Sequence, residues 1–147
     1  MPKVTIASPQ EVVPLDRGRL REIARAVLAG EGTGDYEISL AFVDNATSQR
    51  LNKRFLDHDE PTDVLSFPLS DAGAAKLSGE LVIAVEVAHE QARARGHDVQ
   101  SELALYVIHG LLHLCGYDDK SAGHARDMRA RERHYLGELG LPDIAEK

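Results

Sequence analysis

An apolar run between Glu102 and Asp118 constrains this chain more than any other segment, because it contains no acidic or basic residue other than histidine. The run is shorter than the roughly 20 apolar residues that a transmembrane helix needs. It therefore predicts a helix buried on all sides within a globular domain, opened by Ser101 and Glu102 and closed by Gly116.

The same run carries two histidines, His109 and His113, four residues apart. On a helix, residues at i and i+4 lie one above the other on the same face, so both imidazoles can point at one spot. After Gly116 the chain returns Asp118 and Asp119 towards the helix end, and two imidazoles with one carboxylate form a ligand set that zinc accepts. The alternative is a pair of core histidines satisfied by protein hydrogen bonds, since this spacing also arises by chance.

Gly110 directly follows the first histidine, where it costs about 1 kcal/mol of helix propensity relative to alanine. A glycine at this position predicts that another element or a substrate comes close to the helix backbone. The single cysteine, Cys115, is offset by two residues from His113 and is predicted to point away from the histidine face as a small buried hydrophobe.

The segment from His109 to Asp119, HGLLHLCGYDD, resembles the HGxLHLxGYDH signature of the YbeY family, the bacterial endoribonucleases of ribosomal RNA maturation. The resemblance extends to further blocks in the family's order, which are Leu51-Asn52, the PTDVLSFP segment from Pro61 to Pro68, the GELVI segment from Gly79 to Ile83 and the MxxxE pattern from Met128 to Glu132.

The resemblance implies a metal-dependent endoribonuclease that is specific for single-stranded RNA and acts in 3′-end maturation of small-subunit ribosomal RNA and in ribosome quality control. It also implies one zinc ion, with another divalent metal as the alternative. The implied partners are ribosomal RNA, the small ribosomal subunit, and a ribosomal protein or a GTPase. Two other functions remain open, namely a ribosome-associated assembly factor with a mainly structural zinc and another metal-dependent hydrolase. Gly110 stands where HExxH zinc proteases carry their glutamate base, which disfavours peptidase chemistry.

The third ligand position departs from the family pattern, because Asp119 stands where the family has a histidine. A carboxylate also ligates zinc, so the predicted metal ligands are His109, His113 and Asp119. His124 is the alternative third ligand, five residues further along the chain.

A second departure is Leu56, where many family members carry an arginine thought to contact RNA. Lys53 or Arg54 is the candidate replacement. Arg54, Thr62 and Asp63 are the further candidate catalytic residues, as proton carriers or phosphate-binding groups. The alternative for Thr62 and Asp63 is local turn hydrogen bonding.

The global composition limits the class of protein. A chain of 147 residues with 43% hydrophobic and 28% charged residues predicts one soluble domain spanning residues 1–147. The lone cysteine and the lack of a signal peptide or membrane span predict a cytoplasmic protein without a membrane partner. A net charge of −7 argues against a simple nucleic-acid-binding surface, so an RNA enzyme needs a local basic patch. Arg126, Arg129 and Arg133 are candidates on the last helix, with a solvated face as the alternative.

Interleaved strand and helix patterns predict an α/β fold, a single compact domain with an about four-stranded mixed sheet, helices on its faces and a buried metal-binding helix. The fourth strand is the most continuously apolar and is predicted to be central, whereas prolines at both ends make the third an edge strand. The predicted strands are Lys3–Ala7, Tyr36–Val43, Thr62–Phe67 and Glu80–Val85. The predicted helices begin near Asp16, Asp44, Glu86, Ser101 and Ser121.

Overall fold

Four strands form one mixed sheet in the computed structural model, which describes residues 2–10, 13–56, 64–71, 74–118 and 120–145, with the backbone alone for 51–56. The sheet order is β1-β2-β4-β3. Strands β1, β2 and β4 are parallel, and β3 runs antiparallel to β4 at the edge. The strands are β1 (Lys3–Ala7), β2 (Tyr36–Val43), β3 (Val64–Pro68) and β4 (Leu77–Ala84).

Five helices lie among the described residues, and one of them is the centre of the packing. They are α1 (Arg17–Gly30), α2 (Asn45–Leu56), α3 (Val85–Arg95), α4 (Val99–Leu114) and α5 (Ala122–Glu138). Helix α4 contacts α1, α3, α5 and the two strands β3 and β4. The predicted α/β fold with a four-stranded mixed sheet is therefore confirmed, as are the central place of β4 and the edge place of β3. None of these helices has the length and apolarity needed to span a bilayer.

Alternation along β2 determines which face of the sheet meets this helix. Ile38, Leu40 and Phe42 are buried in the main core, whereas Glu37, which directly precedes Ile38, is exposed. Successive strand residues point to opposite faces, so one face of the sheet packs on the helices. On the neighbouring strand β4, Leu81 and Ile83 belong to the same core and are both fully buried.

The start of α4 differs from the prediction. Asp98 is the N-cap, and its carboxylate accepts a hydrogen bond from the backbone N–H of Ser101 at 2.8 Å. The prediction that Ser101 and Glu102 open the helix is therefore wrong, because the helix begins at Val99 and both residues are buried in its first turn. The buried Glu102 carboxylate contacts Nε2 of His97 at 2.5 Å, which compensates the cost of burying a charge.

The end of α4 agrees with the prediction. Gly116 adopts a left-handed backbone with φ of 108°, and its N–H donates to the carbonyl of His113 at 3.0 Å. The N–H of Tyr117 donates to the carbonyl of Leu112, also at 3.0 Å. These two bonds form a Schellman motif, in which glycine is favoured because it has no Cβ to clash in the left-handed conformation.

Candidate functional site

The two histidines of α4 lie together on a face of the helix that the core leaves partly uncovered. Nε2 of His109 and Nε2 of His113 are 3.1 Å apart, and the two rings are nearly perpendicular, at 80°. The side chain of His109 is 27% exposed, and that of His113 is also partly exposed. The prediction of a helix buried on all sides is therefore wrong at its last turns, where α4 leaves both imidazoles accessible.

A carboxylate on α5 fixes the orientation of the first imidazole. Nδ1 of His109 donates to Oε2 of Glu132 at 2.9 Å, and Glu132 is almost fully buried. A proton held on Nδ1 leaves the lone pair on Nε2, the nitrogen that faces His113. A carboxylate in this relation to a histidine is the usual partner of a metal-ligating imidazole.

Sequence reasoning did not assign a role to Glu132, although a signal for it is present. Glu132 shares the buried face of α5 with Met128, Tyr135 and Leu136. An acidic residue on the apolar stripe of an amphipathic helix needs a buried partner, because an unpaired charge is costly in the core. The pattern indicates that a partner exists, but it does not identify His109 as that partner.

Gly110 allows the sheet to approach α4 next to the first histidine. A Cβ at this position would lie 2.8 and 2.9 Å from the two methyl carbons of Leu81 on β4. On the edge strand, Oγ of Ser66 donates to the carbonyl of Gly110 at 3.4 Å. The predicted close approach is confirmed, and the approaching element is the sheet.

The turn after α4 contains a paired carboxylate. Oδ1 of Asp118 accepts from the backbone N–H of Lys120 and lies 3.0 Å from Nδ1 of His124. The hydrogen bond from Lys120 is the main cause that holds the pKa of Asp118 below its ordinary value. His124, the alternative third ligand, is thus engaged with Asp118, in the first turn of α5.

Cys115 does not join the two histidines. It is partly buried and packs against the main core. Burial raises the pKa of its thiol above the ordinary value, although a hydrogen bond with Thr33 opposes this. A thiol is a metal ligand only as the thiolate, so the structure agrees with the prediction of a small core residue.

The other predicted site residues lie outside what the structure describes. Asp119, Thr62 and Asp63 fall outside the described residues, and Arg54 is described only as backbone within α2. Among the residues that are described, no three His, Cys, Asp or Glu side chains form a metal-binding group. The structure thus brings together His109, His113 and Glu132, and the assignment of Asp119 stays a prediction.

Comparison with known proteins finds one family by both family model and individual relatives. The model of the family described as Endoribonuclease YbeY matches residues 5–140. A protein named Endoribonuclease YbeY from Alkaliphilus metalliredigens is 40% identical over an alignment of 148 positions. The alignment covers 94% of this chain and 96% of that protein. Another of the same name from Moorella thermoacetica is 41% identical over 133 residues, covering 83% of this chain and 85% of that protein.

A solved structure is also similar. The solution structure of TM1509 from Thermotoga maritima has a TM-score of 0.65 and 26% sequence identity, and the match covers 99% of this chain and 100% of that one. The family match begins within β1 and spans the other three strands and all five helices, including Glu132 on α5. The chain therefore belongs to the YbeY endoribonuclease family.

Proposed function

We propose that this protein is a metal-dependent endoribonuclease that cleaves single-stranded RNA, with its role in maturation of ribosomal RNA and in ribosome quality control. The observation that carries the proposal is the pair of imidazoles whose Nε2 atoms lie 3.1 Å apart. Family membership supports RNA as the substrate, because the relatives are named endoribonucleases.

The geometry of the histidine pair fits a zinc ion. Zinc–nitrogen bonds of 2.0–2.1 Å at a tetrahedral centre place two ligand nitrogens about 3.3–3.4 Å apart, close to the separation of the two Nε2 atoms. The bond from Nδ1 of His109 to Glu132 supports the same assignment, since it leaves Nε2 unprotonated. His109, His113 and Asp119 are the proposed ligands, and another divalent metal is the alternative to zinc.

The chemistry follows from the residues that surround the pair. A zinc ion bound there would act as a Lewis acid that stabilises negative charge on the phosphoryl oxygens of RNA. Glu132 keeps the proton on Nδ1 of His109 and so keeps the ring in one tautomer and orientation. Gly110 leaves the helix without the glutamate base of the zinc proteases, which favours phosphodiesters over peptides as substrates.

Binding of RNA by a chain with net charge −7 needs a local cationic surface. Three arginines lie at positions i, i+3 and i+7 on one flank of α5, the helix that also carries Glu132. They are Arg126, Arg129 and Arg133. Arg126 is exposed, and Arg133 lies 3.4 Å from Asp143. We assign phosphate contacts to this flank and to Arg54, with Thr62 and Asp63 as candidate groups for proton transfer or substrate positioning.

Cleavage of a single-stranded RNA tests the proposal. The purified protein is assayed before and after chelator treatment and after addition of zinc, manganese or magnesium, with His113→Ala alongside. His89→Ala is the matched control, since His89 is exposed on α3. We expect cleavage that disappears with chelator, returns with metal, and is absent in His113→Ala but retained in His89→Ala.

Other outcomes separate the remaining possibilities. Cleavage that persists in His113→Ala would refute a role for the histidine pair. RNA binding without any cleavage would favour the assembly factor with a structural zinc. Measured metal content of Asp119→Ala and His124→Ala assigns the third ligand, and we expect only Asp119→Ala to lose metal as fully as His109→Ala.

A further inference from the structure

A cluster of polar side chains at the end of α1 connects two parts of the candidate site. Glu31 is the C-cap residue of α1, and its side chain is only 9% exposed. Its Oε2 contacts Nη2 and Nε of Arg131 at 2.5 and 3.1 Å, and it accepts a hydrogen bond from the hydroxyl of Tyr135. The Tyr117 hydroxyl lies near enough to Glu31 to contribute to lowering the pKa of its carboxyl.

The cluster is closely packed as well as hydrogen-bonded. Tyr135 is fully buried, and Nη2 of Arg131 donates to its hydroxyl at 2.9 Å. Gly30 provides the space for this ring, since a Cβ there would lie 2.6 Å from Cε1 of Tyr135. The side chains of Tyr135 and Glu31 are shielded from water, whereas that of Arg131 is 33% exposed. The hydrogen bond between Tyr135 and Glu31 therefore fixes both side chains firmly, because water competes little for it.

Glu31 remains charged within this cluster. Burial alone would raise the pKa of its carboxyl, but hydrogen bonds from Tyr135, Arg131 and Tyr117 outweigh burial and hold that pKa below the ordinary value. A charged acceptor strengthens each of these hydrogen bonds relative to a neutral one.

Two of the partners of Glu31 are adjacent to residues of the candidate site. Arg131 directly precedes Glu132, whose carboxylate holds His109. Tyr117 lies in the turn after α4, two residues before Asp119 in the sequence. The backbone N–H of Tyr117 donates to the carbonyl of Leu112, which attaches the turn to α4, and the Tyr117 hydroxyl lies near Glu31.

We infer that Glu31 is a positioning residue for the metal site, which it serves by fixing α5 at Arg131 and the turn after α4 at Tyr117. This inference rests on the metal site proposed above. In this arrangement α1 contributes no metal ligand. Its C-cap residue instead controls the positions of Glu132 and of the turn that leads to Asp119. Loss of the cluster loosens the ligand geometry while both histidines remain on their helix.

Glu31→Gln tests this inference, because it removes the charge and keeps the shape of the side chain. Glu102→Gln is the matched control. Glu102 is a buried carboxylate paired with His97 in the first turn of α4, about 10 Å of helix away from His109 at a rise of 1.5 Å per residue. Tyr117→Phe is a second test variant that removes a single hydroxyl and remains informative if Glu31→Gln fails to fold.

Three quantities are measured for each variant, namely zinc affinity by competition with a chelator, the visible absorption spectrum of bound Co²⁺, and the thermal midpoint of the metal-free protein. We expect Glu31→Gln to weaken zinc binding about tenfold and to alter the Co²⁺ spectrum, with a smaller effect of the same kind in Tyr117→Phe. We expect Glu102→Gln to lower the thermal midpoint while zinc affinity and the Co²⁺ spectrum stay at wild-type values.

Each other outcome refutes a defined part of this reasoning. Wild-type zinc affinity and Co²⁺ spectrum in Glu31→Gln and Tyr117→Phe would overturn the positioning role. Equal loss of affinity in Glu102→Gln would overturn it too, since the effect would then follow from general stability. A wild-type protein that binds no metal would overturn both this inference and the proposed site. Metal binding that changes as expected in Glu31→Gln and Tyr117→Phe, but without RNA cleavage by the wild-type protein, would support the positioning role and refute the proposed nuclease.

Discussion

Replacement of Gly110 by alanine has two opposing effects on stability, a gain in helix propensity and a steric overlap with the sheet. Alanine is favoured over glycine within a helix by about 1 kcal/mol. The new Cβ, however, would lie 2.8 and 2.9 Å from the methyl carbons of Leu81 and 3.2 Å from Cγ2 of Val64. Carbon atoms in contact are most stable at about 3.5–4.0 Å, so the shortfall on Leu81 is well over half an ångström.

The steric effect should be the larger one at this position. Leu81 is fully buried, so its methyl groups move only if their neighbours in the core also move. Overpacking of this kind costs about 1–3 kcal/mol, and the buried position favours the upper half of that range. After the gain in helix propensity is subtracted, we expect Gly110→Ala to lower the free energy of unfolding by about 1–2 kcal/mol.

Urea denaturation of the metal-free protein measures this change directly. Gly137→Ala is the matched control, because Gly137 is exposed in the last turn of α5 and a Cβ there would have no atom within 4 Å. The control should gain up to about 1 kcal/mol from helix propensity alone. If Gly110→Ala were stabilised as much as Gly137→Ala, close packing of β4 on α4 would not be the reason for this glycine.

Two further predictions concern the helix cap and the histidine partner. The N–H of Ser101 is the main cause that holds the pKa of Asp98 below its ordinary value of 3.8. Because the folded-state pKa is the lower one, the cap stabilises the fold above pH 3.8 and loses this effect as the pH falls through the folded-state value. Asp98→Ala should therefore cost about 1 kcal/mol at neutral pH in urea titrations, and the difference from wild type should shrink in acid; a constant difference would contradict the assignment. Glu132→Ala should weaken zinc binding about 10–100-fold in chelator competition, whereas Glu138→Ala, at an exposed position of the same helix, should leave it unchanged. Equal affinities in these two variants would exclude an orienting role for Glu132.

Much of the fold could be predicted from local patterns. Strand alternation located β1 and β2 at the residues observed, and Gly116 marked the end of α4. The i, i+4 spacing of the histidines was sufficient to place both rings on one face, because that relation depends only on helix geometry. The helix starts near Asp16, Asp44 and Ser121 were also predicted correctly. The start of α4 was not, since Asp98 and Ser101 are both good capping residues and only the structure shows which of them caps the helix.

The sequence by itself determined the order and approximate positions of the helices and strands, which faces are apolar, and that His109 and His113 point at one spot. It determined these because each follows from interactions between residues a few positions apart. Tertiary structure alone decided that Glu132 holds His109, 23 residues away, and that Glu31 meets Tyr135, 104 residues away. Periodicity indicates that a side chain faces inward, but the packing of α5 and α1 against α4 decides which side chain it meets there.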